Sequence, residues 1–281
     1  MGIITVSEDL KSLSDGNIFC GELPEMNNSQ VQFTGKNNIL YCEPGVRLVN
    51  SKIQFNGDNS VVYLSENRHN YLLAIGIPNN CVFYSGKNNY FNGILNVVLS
   101  EQKHVFIGSN CLFSFGNWLR VADPHLVYSV ETKKRINPSK SIYIGDHVWI
   151  GQAAMILKGS RIFSGSIVGA ASVVAGKEIK SNESWAGNPA KKIAEGIFWE
   201  NPCVHLWTDA ETKNHDYQNG ENSIFPFRED VFIDFETLEQ EFSQKATAQN
   251  KLKFLERLSK NSEKERFAKM TEHQSIWRRK K

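Results

Sequence analysis

Between residues 144 and 176 the chain reads IGDHVWIGQAAMILKGSRIFSGSIVGAASVVAG, and an aliphatic side chain returns at every sixth position: Ile144, Ile150, Ile156, Ile162, Val168 and Val174. If about a fifth of residues are Ile, Leu or Val, six such coincidences have a probability on the order of 10⁻⁴. Four residues after each stands a small residue or a Val (Val148, Ala154, Ser160, Ser166, Ser172), until Glu178 breaks the series. A period of six is neither the 3.6 of a free helix nor simple strand alternation. It fits short strands separated by regular bends, each side about six residues and ~20 Å long at strand rise. Three sides close a triangular turn of about eighteen residues, with the aliphatic position pointing inward. One turn alone buries almost nothing, so stability must come from stacking turn on turn.

The theme recurs upstream in looser form. Phe33-Thr-Gly35-Lys-Asn37, Phe55-Asn-Gly57-Asp-Asn59 and Tyr84-Ser-Gly86-Lys-Asn88 share an aromatic-x-Gly-x-Asn unit, and Gly108 stands in a fourth relative. Asn at such corners suits left-handed backbone and side-chain turn bonding. The glycines are 22, 29 and 22 residues apart, which predicts coils of the same kind carrying short insertions. The expected organisation is a lead-in over 1–16, one all-β solenoid over 17–193, an aromatic-rich capping segment over 194–235, and a helical basic extension over 236–281. In the last, Leu238 and Phe242, then Leu252, Leu255 and Leu258, carry helical spacing.

At 281 residues the chain has room for a large core. Its net charge of +2 argues against nucleic acid as the general partner, and no apolar run of about eighteen residues is long enough to span a membrane. The first residues lack the basic head and apolar core of a secretion signal, and Val6 stands where a myristoylation motif needs Ser or Thr. Five scattered cysteines form no CxxC and read as reduced thiols of a cytoplasmic protein. Residues 247–281 hold eleven Lys or Arg against four Glu and end in Arg278-Arg279-Lys280-Lys281. That charge fits a solvated tail, or docking to an anionic polymer, a membrane surface or a biosynthetic complex.

Residues 136–193, INPSKSIYIGDHVWIGQAAMILKGSRIFSGSIVGAASVVAG…WAGNPAKKI, resemble the hexapeptide-repeat acyltransferases, and among them the bacterial O-acetyltransferases of sugars and surface polysaccharides. The resemblance implies a left-handed parallel β-helix, acetyl-CoA as co-substrate, no metal, a carbohydrate acceptor, and a homotrimer with active sites between subunits. It also assigns residues. His125, in the Asp123-Pro124-His125 corner, matches the position of the general base. A base is what an alcohol acceptor needs, and imidazole ordinarily titrates near neutrality. Asp123 either orients that imidazole or caps the turn. Relatives often carry an acidic residue shortly after the His, where this chain has Ser129.

Trp149 takes an outward register position, so it either lines the active-site tunnel or packs against a neighbouring subunit. The stretch Gly151 to Ala153 is expected to supply oxyanion N–H groups. Ala170 and Ala171 stand beside the expected pantetheine path. Lys177, Lys191 and Lys192 either meet the coenzyme phosphates or are solvated surface charges, and Lys134 and Arg135 in the Lys133-Lys134-Arg135 loop either steer coenzyme or an acidic polymer or belong to an ordinary exposed loop. His147 reads as structural, and Cys111 as a core thiol rather than a nucleophile.

Three other readings share the fold. An N-acetyltransferase acting on an amino sugar would use the same base and coenzyme. A zinc carbonic anhydrase would need His104, His125 and His147 to converge, without the close pairing that family shows. A non-catalytic scaffold would bind no coenzyme.

Overall fold

The six aliphatic positions of the repeat are fully buried in the computed structural model, which describes residues 2–270, and so are the five small or Val positions that follow them. The chain winds as a three-sided parallel solenoid of about seven turns. Face A holds eight strands, from Ile3–Ile4 to Val173–Ala175; face B holds eight, from Ile18–Gly21 to Glu178–Ile179. Face C holds six, from Tyr90–Phe91 to Lys191–Glu195, with the pair Glu25–Asn27 and Arg47–Val49 nearer the N-terminus. The chain visits B, C and A in strict rotation, so each coil crosses the same three edges.

Coil length is where the sequence pattern and the structure differ. The regular coils take eighteen residues, as Ile144↔Ile162 and Ile150↔Val168 show. The next takes one fewer (Ile162↔Ile179), which slips the register and puts Glu178 outside while Ile179 fills the core. Upstream coils are longer, 21 to 23 residues, as in Phe33↔Phe55, Val61↔Val82 and Leu48↔Tyr71. The four glycines also belong to two edges rather than one. Gly35 and Gly57 turn the A/B edge and Gly86 and Gly108 the B/C edge, which accounts for the spacing of 29.

Both ends of the stack are blunted by antiparallel strands, which stops an open coil from templating further pairing. Ile3–Ile4 pairs antiparallel with Gln30–Phe33, while Leu10 of the short helical turn Ser7–Ser12 joins the core. Lys191–Glu195 folds back on Glu183–Ala186 at the other end. The aromatic-rich segment after residue 194 is therefore not the end cap. It lies along the B/C edge, where Trp199 stacks on His147 at 4.0 Å and Phe225 exchanges hydrogen bonds with Asn182.

A second core forms outside the prism on face B. Tyr41, Tyr63, Tyr84 and Phe106 stack rung on rung at 4.4, 5.2 and 4.6 Å. Helix α1 (Phe235–Gln244) is capped by Asp234, and α2 (Ala248–Ser259) by Thr247. They bring Phe235, Leu238, Phe242, Leu252, Leu255 and Leu258 onto that surface. Buried Lys251 of α2 donates to the carbonyls of Asn59 and Asn80, and Arg266 makes a buried two-point ion pair with Asp146 of the GDH motif. The terminal Arg278-Arg279-Lys280-Lys281 lies outside the described residues.

Candidate active site

Successive coils five and six are joined across 37 residues (Ile107↔Ile144), because residues 122–140 leave the A/B edge as an arm. Its two limbs pair through Ser129 N–H to the Lys134 carbonyl and Ile136 N–H to the Val127 carbonyl, both 2.9 Å. Asn137, buried at the root, receives the Val127 N–H and donates to the His125 carbonyl at 2.7 Å and to Asp123 at 3.3 Å. Arg135 reaches back with two hydrogen bonds to Glu101, whose carboxylate also takes the Ser139 hydroxyl. That guanidinium, with Ser139, holds the Glu101 carboxyl down to about 2. The root is fixed while the tip is bare: Leu126, Val127, Tyr128, Val130 and Ile136 are all exposed.

His125 sits on this arm with its ring exposed and without a hydrogen bond among the described residues. Asp123 does not orient it. The Asp123 carboxylate goes to Lys158 at 2.5 Å and to Asn137, and the ammonium holds its pKa down. Ser129 is a turn residue, accepting from Thr132 N–H. Arg135, expected to steer a ligand, is occupied by Glu101; Lys134 beside it makes no ion pair among the described residues.

The other expected residues lie on a different edge. Trp149, 36% exposed on face C, points outward; its Nε1 faces Ser114 Oγ at 3.4 Å and its ring leans on Trp199 at 6.0 Å. Gly151, Ala153, Ala170 and Ala171 form the C/A edge of coils six and seven, with Ala153 and Ala171 in the left-handed region. A Cβ at Gly151 would meet the Ala170 nitrogen at 2.6 Å, so only glycine lets the rungs close there.

The expected oxyanion donors need correction. Gly151 N–H is taken by the Val168 carbonyl and Ala153 N–H by the Phe115 carbonyl. Gln152 and Ala170 are exposed residues of this edge whose amides make no hydrogen bond among the described residues. The aromatic surface of this edge is also larger than the sequence indicated, since Phe115 and Trp118 are exposed beside Trp149. Their only signal was an outward register position, Trp118 pairing with Met155 on face A and Phe115 at the corner before it.

Of the expected phosphate-binding lysines, Lys192 is paired with Glu183 and Glu195, whereas Lys177 on the A/B edge and Lys191 on the closing strand have no ion pair among the described residues. Cys111 lies inside the prism, its thiol pushed up by burial. His104 is buried on the A/B edge, its Nδ1 accepting from Val82 N–H, and burial pushes it down to about 3. His147 is a left-handed corner residue locked to Trp199 by a bond in each direction. The three histidines thus occupy separate places. Among the described residues no group of three or more His, Cys, Asp or Glu side chains is arranged to hold a metal ion.

An arm carrying an exposed imidazole thus stands on one edge of the prism, and exposed aromatic side chains with uncommitted amides stand on another. No protein-family model matches the chain. It is 31% identical over 194 residues to the polysialic acid O-acetyltransferase of Neisseria meningitidis, an alignment covering 68% of this chain and 89% of that one. Among solved structures it is similar to the polySia-specific acetyltransferase NeuO (30% identity, TM-score 0.61, 71% of this chain and 93% of that one). It is also similar to the polysialic acid O-acetyltransferase OatWY (25% identity, TM-score 0.56, 72% and 96%). The chain belongs to the surface-polysaccharide O-acetyltransferases of the hexapeptide-repeat superfamily, and its fold is their left-handed parallel β-helix. It is an acyltransferase that acetylates carbohydrate.

Proposed function

We propose that the protein transfers acetyl from acetyl-CoA directly to a hydroxyl of an acidic surface polymer of the polysialic acid type, as a homotrimer with its active sites between copies. One observation carries the reading. His125 and the exposed aromatic surface of Trp149, Phe115 and Trp118 stand on edges separated by the width of face A, about 20 Å at strand rise, while the arm that carries His125 presents a bare apolar tip. Docked on the C/A edge of a second copy, the tip is covered and the imidazole reaches that surface. The absence of an orienting partner for His125 among the described residues supports the same arrangement.

In that geometry the acceptor hydroxyl gives its proton to the His125 imidazole as its oxygen attacks the thioester carbonyl carbon. The unpaired Gln152 amide is available to the resulting oxyanion. Collapse breaks the C–S bond, and the imidazolium returns its proton to the departing thiolate, leaving an acetyl ester and CoA. Lys177, Lys191 and Lys134, which make no ion pair among the described residues, suit the coenzyme phosphates and an anionic acceptor. The five unpaired cysteines support a cytoplasmic location, and no helix among the described residues is long and apolar enough to cross a membrane.

The test is thiol release from acetyl-CoA in the presence of polysialic acid, with mass spectrometry locating the acetyl group. His125→Ala should lose about 10²–10⁴-fold in turnover with an unchanged melting curve. Full activity in that variant would overturn the assignment of the base, and release without polymer acetylation would overturn the acceptor.

A further inference from the structure

The C/A edge does not end at the aromatic patch. The Phe115 ring lies over Gly93 of coil four, where an added Cβ would meet its Cδ1 at 3.1 Å, and exposed Ile94 follows. Below Ile94 the edge is cut away. Coil four turns this corner through Asn92, Gly93 and Ile94, between the strands Tyr90–Phe91 and Leu95–Val98. Coil three has only Leu72 between Tyr71 and Leu73–Ile77, and the partners Leu48↔Tyr71 and Ile53↔Ile75 show it one residue shorter than coil two. The short turn leaves a recess of about 730 Å³ bounded by Ile94 above and by Asn28, Gln30, Asn50, Lys52 and Thr5 below.

The chemistry of the lining is that of sugar recognition. Asn28 Nδ2 donates to Asn50 Oδ1, and the amide nitrogen of Asn50 and the carbonyl oxygen of Asn28, both on exposed residues, have no partner among the described residues. The Gln30 amide, the Thr5 hydroxyl and the exposed Lys52 ammonium also make no side-chain hydrogen bond or ion pair among the described residues. Lys52 is the one charged group in this lining. A cation surrounded by uncommitted amides and hydroxyls, with an apolar lip, matches a sugar bearing a carboxylate and several hydroxyls.

We propose that this recess is a distal subsite for the acceptor polymer, holding a carboxylate-bearing sugar while another residue of the same strand is acetylated beside Trp149. The proposal rests on the reading above and extends it. From coil six to coil three is three rungs, about 14 Å, more than one monosaccharide spans, so the recess serves chains and not single sugars. Polymer would then approach along the N-terminal half of the edge, leaving the C-terminal half, with Gln152 and Ala170, to coenzyme.

The test compares KM for polysialic acid with KM for a sialic acid trimer, at saturating acetyl-CoA, in the full-length protein and in Lys52→Glu and Lys52→Gln. Residue 52 is on the surface, and melting curves check folding of both variants. For Lys52→Glu the polymer KM should rise about tenfold, equivalent to one charge contact, with a smaller rise for Lys52→Gln; the trimer KM should move less than about twofold. Equal KM changes for both acceptors, or none, would overturn the subsite and leave the catalytic reading standing. Failure of the wild-type protein to acetylate either acceptor would overturn both.

Discussion

His104 shows how one side chain can be decided by its surroundings alone. Buried at the A/B edge against Phe242, it accepts a hydrogen bond from Val82 N–H and cannot keep a proton there. Burial is the main cause of its depressed pKa, with Lys251 and Lys103 adding and Glu239 opposing. The folded imidazole protonates near 3 and the unfolded one near 6.5, so between those values the unfolded chain binds more protons. Stability is unaffected above that window and falls as pH drops through it, by an amount on the order of 2–5 kcal/mol in total. His104→Gln keeps an acceptor for Val82 but does not titrate. Its melting temperature should fall less between pH 7 and pH 4 than that of the wild type; parallel curves would show that other groups control acid unfolding.

At the scale of elements, the arm is the part the sequence described least. The interruption of the repeat and the Asp123-Pro124-His125 corner were visible, but the partners of its root were not. Glu101, Asn137 and Lys158 stand 21 to 57 positions from one another, and nothing in their local pattern joins them. Arg135 is the discriminating residue. If it fixes the arm through Glu101, Arg135→Ala should lower kcat about ten- to a hundredfold by misplacing the imidazole, with KM for acetyl-CoA unchanged. A raised KM for acetyl-CoA with kcat intact would instead make Arg135 a coenzyme contact. The helices contrast with the arm, since their spacing of Leu and Phe was legible. Their docking surface had a signal too: Ile-Leu-Tyr-Cys, Val-Val-Tyr-Leu and Val-Phe-Tyr-Ser are apolar on both sides of the strand, the mark of a sheet covered on both faces.

For the whole molecule, the six-residue period announced the prism because each inward position is a separate, repeated demand for an aliphatic side chain. It was loudest in the eighteen-residue coils and faded where coils of 21 to 23 residues put their extra residues at the corners. Phe115 and Trp118 were missed for a related reason: outward positions obey no period, so a functional surface there is visible only once the rungs are stacked. The site is legible to the same extent. Sequence alone proposed His125 and Trp149 as site residues but could not show that a single chain keeps them a face apart.

That separation can be tested by mixing subunits. His125→Ala disables the arm, and Ala170→Trp obstructs the C/A edge; each alone should be inactive. Co-refolded or co-expressed in equal amounts, the two chains should recover about a quarter of wild-type turnover, because random pairing joins an intact arm to an intact C/A edge at that fraction of shared sites. No recovery above the single variants, with mixed oligomers verified by mass, would mean that the imidazole and the C/A edge serve each other within one chain.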